Sequence, residues 1–281
     1  MFPYKSPRRE PGDSASFDVP SSMLNGLAQP ALVARPGRGI VPPPPQGRTA
    51  EAMESLQDLD VEYRRRFARV ADYRESVWRI LVADCFQRYV PADGAVLDLG
   101  SGWGEFIRNV RAARRVAMDL NPEMPGRVGP GIEAILHDCS QPWPLEDDAL
   151  DTVFTSNFFE HLPDKDALRR TVREAWRCLK PGGRLVCMGP NIDVVQGAYW
   201  HFWDHFLPLT DSSLCELLGM SGFGVERSIR RFLPYTMSQG FRPPPFLVRL
   251  YVRCPLAWRL LGKQFLVVAR KLPAAARARA A

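Results

Sequence analysis

Ala95-Val96-Leu97-Asp98-Leu99 breaks directly into Gly100-Ser101-Gly102-Trp103-Gly104, and Glu105 and Phe106 then open a helical pattern. An apolar strand that empties into a glycine turn and a helix belongs to a parallel sheet with crossover helices. Glycines there let the backbone approach a ligand closely, and the N–H groups at the helix start favour a negative group. The spacing is Gly-x-Gly-x-Gly rather than the Gly-x-Gly-x-x-Gly of a pyrophosphate-binding dinucleotide site.

The same alternation continues down the chain. Apolar runs at Ala95–Leu99, Val116–Asp119, Ile132–Leu136, Thr152–Thr155 and Arg184–Met188 predict strands, and two more are expected near Val225–Ile229 and Gln264–Ala269. Helices are expected over Glu105–Ala113, Asp164–Leu179 and about Asp211 to Met220, the second stopping at Lys180-Pro181-Gly182-Gly183. Ahead of the sheet, Leu56, Leu59, Tyr63, Phe67, Val70, Tyr73, Val77 and Leu81 recur at helical spacing, so residues 51–90 read as a helical cap packed on the domain or over a pocket. Residues 1–50 hold ten of the 26 prolines and few periodic apolar positions, which predicts a disordered proline-rich leader; residues 272–281 read as a disordered tail.

Charge and cysteine narrow the function classes. The net charge of +6 is carried at the ends: residues 1–50 have six basic and three acidic groups, residues 271–281 three basic ones, and the span between them is neutral. A groove that neutralises many phosphates is therefore poorly supported, and no nucleic-acid partner is expected. The six cysteines stand apart with no C-x-x-C pair, as expected of a chain kept in a reducing cytoplasm without disulfides or structural zinc.

About 20 residues after Gly100 the second strand ends in Asp119, followed by Leu120, where a carboxylate can accept both hydroxyls of a ribose. The third ends in His137-Asp138-Cys139, placing another acid at a strand terminus and in the same crevice. With these, the Asp98–Gly104 turn, Ser156-Asn157-Phe158-Phe159-Glu160-His161-Leu162 and Leu179-Lys180-Pro181-Gly182-Gly183 follow one another in order. In that order they resemble class I S-adenosylmethionine-dependent methyltransferases. The resemblance implies an α/β Rossmann-like fold, a seven-stranded sheet with helices on both faces and the last strand, Gln264–Ala269, antiparallel. The methyltransferase domain would span 91–271, with acceptor-side insertions over 190–262. It implies S-adenosylmethionine as cofactor. Asp98, Gly100, Ser101, Gly102 and Gly104 would hold the methionine end, Asp119 and Leu120 the ribose, Asp138 and Cys139 the adenine, and Asn157 would complete the cofactor site.

A sulfonium methyl is already activated, so such a site mainly aligns the nucleophile and excludes water; a hydroxyl acceptor also needs its proton removed, for which histidine suits. His161 follows the fourth strand and is the first candidate base, with His205 the second; His137 reads as structural. Ala198-Tyr199-Trp200-His201-Phe202-Trp203-Asp204-His205-Phe206 reads as an acceptor-pocket wall, with His161, His201, Trp203, Asp204 and His205 touching substrate and Asp204 orienting His205. His201 and His205 have zinc-compatible spacing on a helix, but with no third ligand in view no metal site is expected. Over Phe241 to Gly262, four arginines without an acid alternate with large apolar residues. This predicts a helix with its apolar face on the core and its arginines exposed, the second reading being a basic amphipathic helix, broken at Pro255, lying on an anionic membrane. The expected activity is methyl transfer, at oxygen, to a small-molecule, sugar or lipid-linked acceptor. The Asn/Asp-Pro-Pro-Tyr signature of amine methylases is absent after the fourth strand. A nicotinamide-dependent oxidoreductase and a methyltransferase-like binding protein without catalysis are the alternatives.

Overall fold

The computed structural model describes residues 70–235 and 242–273. The leader over 1–50, the first half of the cap to residue 69 and the tail from 274 lie outside these residues.

Seven strands form one sheet in the order β3-β2-β1-β4-β5-β7-β6. They are β1 (Ala95–Leu99), β2 (Arg114–Asp119), β3 (Glu133–Leu136), β4 (Leu150–Ser156), β5 (Leu179–Pro190), β6 (Phe223–Ile229) and β7 (Gln264–Lys271). Pairings among β1 to β5 are parallel, and β7 runs antiparallel to both β5 and β6. All seven expected strands are present, and the antiparallel one is the last in sequence. Successive side chains of a strand point to opposite faces. Leu97, Val153, Leu185, Cys187 and Val267 therefore enter one core, while Val96, Phe154, Val186 and Val268 enter the other.

The first core is closed by α4 (Lys165–Cys178) and α6 (Asp211–Met220). The carboxylate of Asp164 accepts from the Ala167 N–H at 2.7 Å and starts α4, and Thr210 with Ser213 forms a reciprocal cap on α6. The second core is closed by α1 (Ala71–Leu81), which widens into a π-turn over Val82–Phe86 and then tightens into a 3-10 turn over Gln87–Tyr89, and by α2 (Glu105–Asn109). Trp78, Phe86, Phe106 and Phe154 meet there, with Phe106 and Phe154 stacked 3.7 Å apart. The described part of the cap is thus a packed helix, and Arg74 and Trp78 also reach the cleft described below. Short helices α3 (Met124–Val128) and α5 (Ile192–Val195) follow β2 and β5.

Two expectations are corrected. The helix expected over Glu105–Ala113 ends at Asn109, because Val110 turns extended to bury its side chain and Ala113 N–H donates to Gly94 O. The helix expected between β6 and β7 with its apolar face on the core is two short helices, α7 (Pro245–Val252) and α8 (Pro255–Leu261), separated at Cys254. The core takes Val252 and Trp258, with Val248 and Tyr251 packed against it, as expected, but Phe246, Leu250, Leu256, Leu260 and Leu261 face outward. Arg249 and Arg253 stay exposed, as expected of this helix, and share one partner, the carboxylate of Asp84. Among the described residues no helix is long and apolar enough to cross a membrane.

Candidate functional site

A cleft of about 560 Å³ opens beyond the carboxyl ends of β1, β2, β3 and β4, where the fold brings its loops together. Its first wall is the glycine turn. Gly100 N–H donates to Met118 O at 2.9 Å, and Gly102 N–H donates to Asp119 Oδ2 at 2.7 Å. Gly100 has φ +66°, and a Cβ there would stand 2.2 Å from the ring of Phe158, so only glycine fits against that wall. Gly104 departs from expectation. It is the left-handed cap of α2 and packs against Val128, and it does not line the cleft. Its role is to turn the chain; Asp98, Gly100, Ser101 and Gly102 form the wall.

Asp98 is buried at the floor of this wall. Burial, then the like charges of Glu105 and Asp119, push its carboxyl well above the usual range, against a lowering hydrogen bond from the Ile107 N–H. Its Oδ2 and the hydroxyl of Ser101 are buried without a hydrogen-bond partner, as are Trp78 Nε1 and Gln264 Oε1, also on the cleft. Such orphaned groups cost about 1–3 kcal/mol each, so a cleft that keeps several is built for a polar ligand. An uncompensated carboxylate among them favours a cationic one, and the sulfonium and ammonium of S-adenosylmethionine fit that demand.

Asp119 lies on the next wall, its Oδ1 accepting from Asn121 N–H at 2.9 Å while Oδ2 holds the glycine turn; burial raises its carboxyl. Leu120 stands beside it. Asp138 and Cys139 close this side, the Asp138 carboxylate accepting from Ser140 N–H at 2.9 Å. The Cys139 thiol contacts Thr171 Oγ1 at 3.4 Å, and burial pushes it up to about 12, so it stays an inert wall residue. His137 also lines the cleft, its Nε2 at 3.0 Å from Pro142 O. Asn157, at φ +50°, donates its N–H to Met188 O at the strand end and also faces the cleft.

The remaining wall comes from the turn Phe159–His161 and the segment 202–206. Glu160 O accepts from Phe206 N–H at 2.8 Å and Leu207 N–H at 3.1 Å, clamping the two together. His161 Nδ1 donates to Asp204 O at 2.8 Å and stands 3.4 Å from Asp204 Oδ2. The expected partnership is corrected to this extent: the Asp204 carboxylate faces His161. His205 is buried, stacked on Phe202 at 4.9 Å and edge-on to His161 at 5.0 Å. His201 and Trp203 are corrected too; both are exposed, Trp203 at 91%, and neither lines the cleft, because Phe202 and His205 take the inward positions of this turn.

Glu160 is the residue that sequence reasoning passed over. It is buried, and burial raises its carboxyl to about 7, with His161 opposing the shift. Its signal was an acid directly before His161, in the turn that follows a core strand. Glu160, His161 and His205 each bring one nitrogen or oxygen within 4.8 Å of the others. The metal-spaced pair His201–His205 is not assembled; His205 finds different companions.

Residues 97–187 match the family model of the methyltransferase domain. No protein of curated function matches the sequence. Among solved structures, a SAM-dependent methyltransferase of Archaeoglobus fulgidus is similar at 18% identity and a TM-score of 0.55, covering 73% of this chain and 99% of that one. A SAM-dependent methyltransferase of Thermotoga maritima is 17% identical with a TM-score of 0.53, over 78% and 98% of the two chains. A chain of the Haloferax volcanii complex between the Trm112 methyltransferase activator and a methyltransferase is 19% identical with a TM-score of 0.54, over 74% and 95%. At these identities the likeness is one of fold.

Proposed function

We propose that this chain, whose residues 97–187 match the methyltransferase-domain model, is a class I S-adenosylmethionine-dependent methyltransferase that methylates a hydroxyl of a small-molecule, sugar or lipid-linked acceptor. The observation that carries the acceptor chemistry is the cluster of Glu160, His161 and His205 on the cleft that also holds Asp98 and Asp119. When bound, S-adenosylmethionine supplies a methyl on a positive sulfonium, which an in-line nucleophile displaces with neutral S-adenosylhomocysteine as leaving group. Asp98 and Ser101, with Gly100 and Gly102, would hold the cationic amino-acid end. Asp119 would hold the ribose and Asp138 the adenine edge, with Leu120, Cys139 and Asn157 around them. A hydroxyl is a poor nucleophile until its proton is drawn away, and the groups in place to do that are His161 and His205 beside Glu160. The Asp204 carbonyl fixes the His161 ring by taking its Nδ1–H, which leaves the lone pair on Nε2. Phe202, Phe206, Tyr235 and Phe158 give this end of the cleft apolar walls that exclude water.

The lipid-linked branch draws support from α7 and α8. Five large apolar side chains there face outward beside Arg242 and Arg259, and no Asp or Glu occurs after Glu226. Such a surface suits peripheral contact with anionic lipid.

The test is methyl transfer from radiolabelled S-adenosylmethionine to panels of hydroxyl and amine acceptors, with His161→Gln alongside. Turnover on hydroxyls that falls at least tenfold in the variant, with cofactor binding unchanged, is the expected result. Turnover confined to amines, or an unaffected variant, refutes the reading.

A further inference from the structure

The side chains of Glu160, His161 and His205 offer more than a polar wall. Two imidazoles and a carboxylate with their donor atoms mutually within 4.8 Å make the donor set of an open catalytic metal site, in which three protein ligands leave room for water or substrate. We propose that Glu160, His161 and His205 bind a divalent first-row transition-metal ion that meets the acceptor oxygen in the cleft.

Three observations support it. First, ligating histidines commonly give their second ring N–H to a carbonyl or carboxylate, which fixes the tautomer that ligates. His161 has this arrangement: Nδ1–H goes to Asp204 O at 2.8 Å, with Asp204 Oδ2 3.4 Å away, so Nε2 keeps the lone pair. Second, the three ligands stand on prepared supports. Two backbone hydrogen bonds join residues 206 and 207 to Glu160 O, and His205 is held between Phe202 and Tyr199, with ring centroids 4.9 and 4.6 Å away. Third, the Glu160 carboxylate is buried with no Arg or Lys in ion-pair range among the described residues. A buried acid that lacks a basic partner is stabilised by a cation, and two nitrogen donors favour a transition metal over magnesium or calcium.

The inference deepens the O-methylation reading and for its catalytic consequence rests on it. A hydroxyl that meets the cation has its pKa lowered; its O–H bond breaks, the proton goes to water, and the electron pair stays on oxygen for attack on the methyl. With the cation bound, the imidazoles act as ligands and the metal draws the proton away.

The test is titration of the full chain with Co2+, read by its visible absorption and by competition with Zn2+. Saturable binding of one ion per chain is expected. Glu160→Gln, His205→Ala and His161→Ala should each weaken it at least about tenfold. The His161 side chain is 33% exposed, so its removal least endangers the fold. Trp203→Ala, outside the cleft, should leave binding unchanged. Titration of the same samples with S-adenosylmethionine separates the two readings. Intact cofactor binding without saturable Co2+ binding, or Co2+ binding that all three ligand variants leave unchanged, overturns the metal site while the methyl-transfer reading stands. Saturable Co2+ binding lost in the three variants, in a chain that fails to bind S-adenosylmethionine, upholds the metal site and removes the cofactor reading.

Discussion

Asp98→Asn separates what the fold wants from what the ligand wants. The carboxyl of Asp98 is buried, its Oδ2 has no partner, and Glu105 and Asp119 add like charge. Its folded-state pKa is therefore above the unfolded one, so folding takes up a proton. The stability this group contributes is fully present below the unfolded carboxylate pKa and is lost as pH rises toward the folded value. Asparagine keeps an oxygen for the Ile107 N–H and does not titrate. At neutral pH the variant without ligand should gain about 1–2 kcal/mol, or about 2–8 °C in melting temperature for a domain of this size, and the gain should vanish in acid. The opposite holds for the cofactor. A hydrogen bond from a cation to a carboxylate is stronger than one to an amide by about 1–2 kcal/mol, so affinity for S-adenosylmethionine should fall about 5- to 30-fold. Melting curves from acid to neutral pH, with and without cofactor, and calorimetric titration read both effects. A variant that melts lower at every pH, or binds the cofactor with unchanged affinity, would refute the assignment of Asp98 to a cationic ligand.

Asp119→Ala should cost at least about tenfold in cofactor affinity, since each hydrogen bond to a charged group contributes about 1.5–3 kcal/mol and the Gly102 turn loses its anchor; unchanged affinity in calorimetry removes the ribose placement. Gly100→Ala must hold φ +66° and push the Phe158 ring aside, so denaturant unfolding should show a loss of at least about 1 kcal/mol, and an unchanged midpoint contradicts the close packing of that turn. If α7 and α8 touch lipid, the chain should float with anionic vesicles and not with neutral ones, and Leu256→Glu with Leu260→Glu should abolish flotation; no flotation of the parent chain at low salt ends that idea.

The strands were legible because both faces of the sheet are buried: Val96 and Leu97, Val153 and Phe154, Val186 and Cys187 enter opposite cores, so each run reads as continuously apolar. The acid positions followed from topology, since Asp119 and Asp138 lie at the ends of neighbouring parallel strands and can only face one crevice. Local signals failed where orientation depends on distant backbone. Nothing in the 198–206 stretch says that Phe202 and His205 turn inward while His201 and Trp203 turn out. That choice is made by Glu160 O, which holds Phe206 and Leu207 from a turn more than forty residues earlier. The periodicity of α7 and α8 likewise gave an amphipathic pattern without saying how much of it reaches the core; Val252 and Trp258 are buried, while Arg249 and Arg253 reach Asp84 from the surface and Leu250, Leu256, Leu260 and Leu261 stay out.

The two halves of the cleft therefore differ in what determines them. The cofactor half is built from strand ends and a glycine turn, whose positions the sheet dictates; changing it means changing the fold's own hydrogen bonds, as at Gly102 and Asp119. The other half, built by the segment 202–206, is joined to the turn Phe159–His161 through two backbone hydrogen bonds to Glu160 O, and its inward side chains belong to no strand. On the proposed reading, acceptor choice would fall to Phe202, Asp204, His205 and Tyr235, and activation of the acceptor to Glu160 and His161 on the turn that follows β4. Substitutions at Phe202 or Tyr235 should accordingly alter which hydroxyl is methylated while leaving cofactor binding intact, whereas no repacking of that half can replace the loss of Glu160.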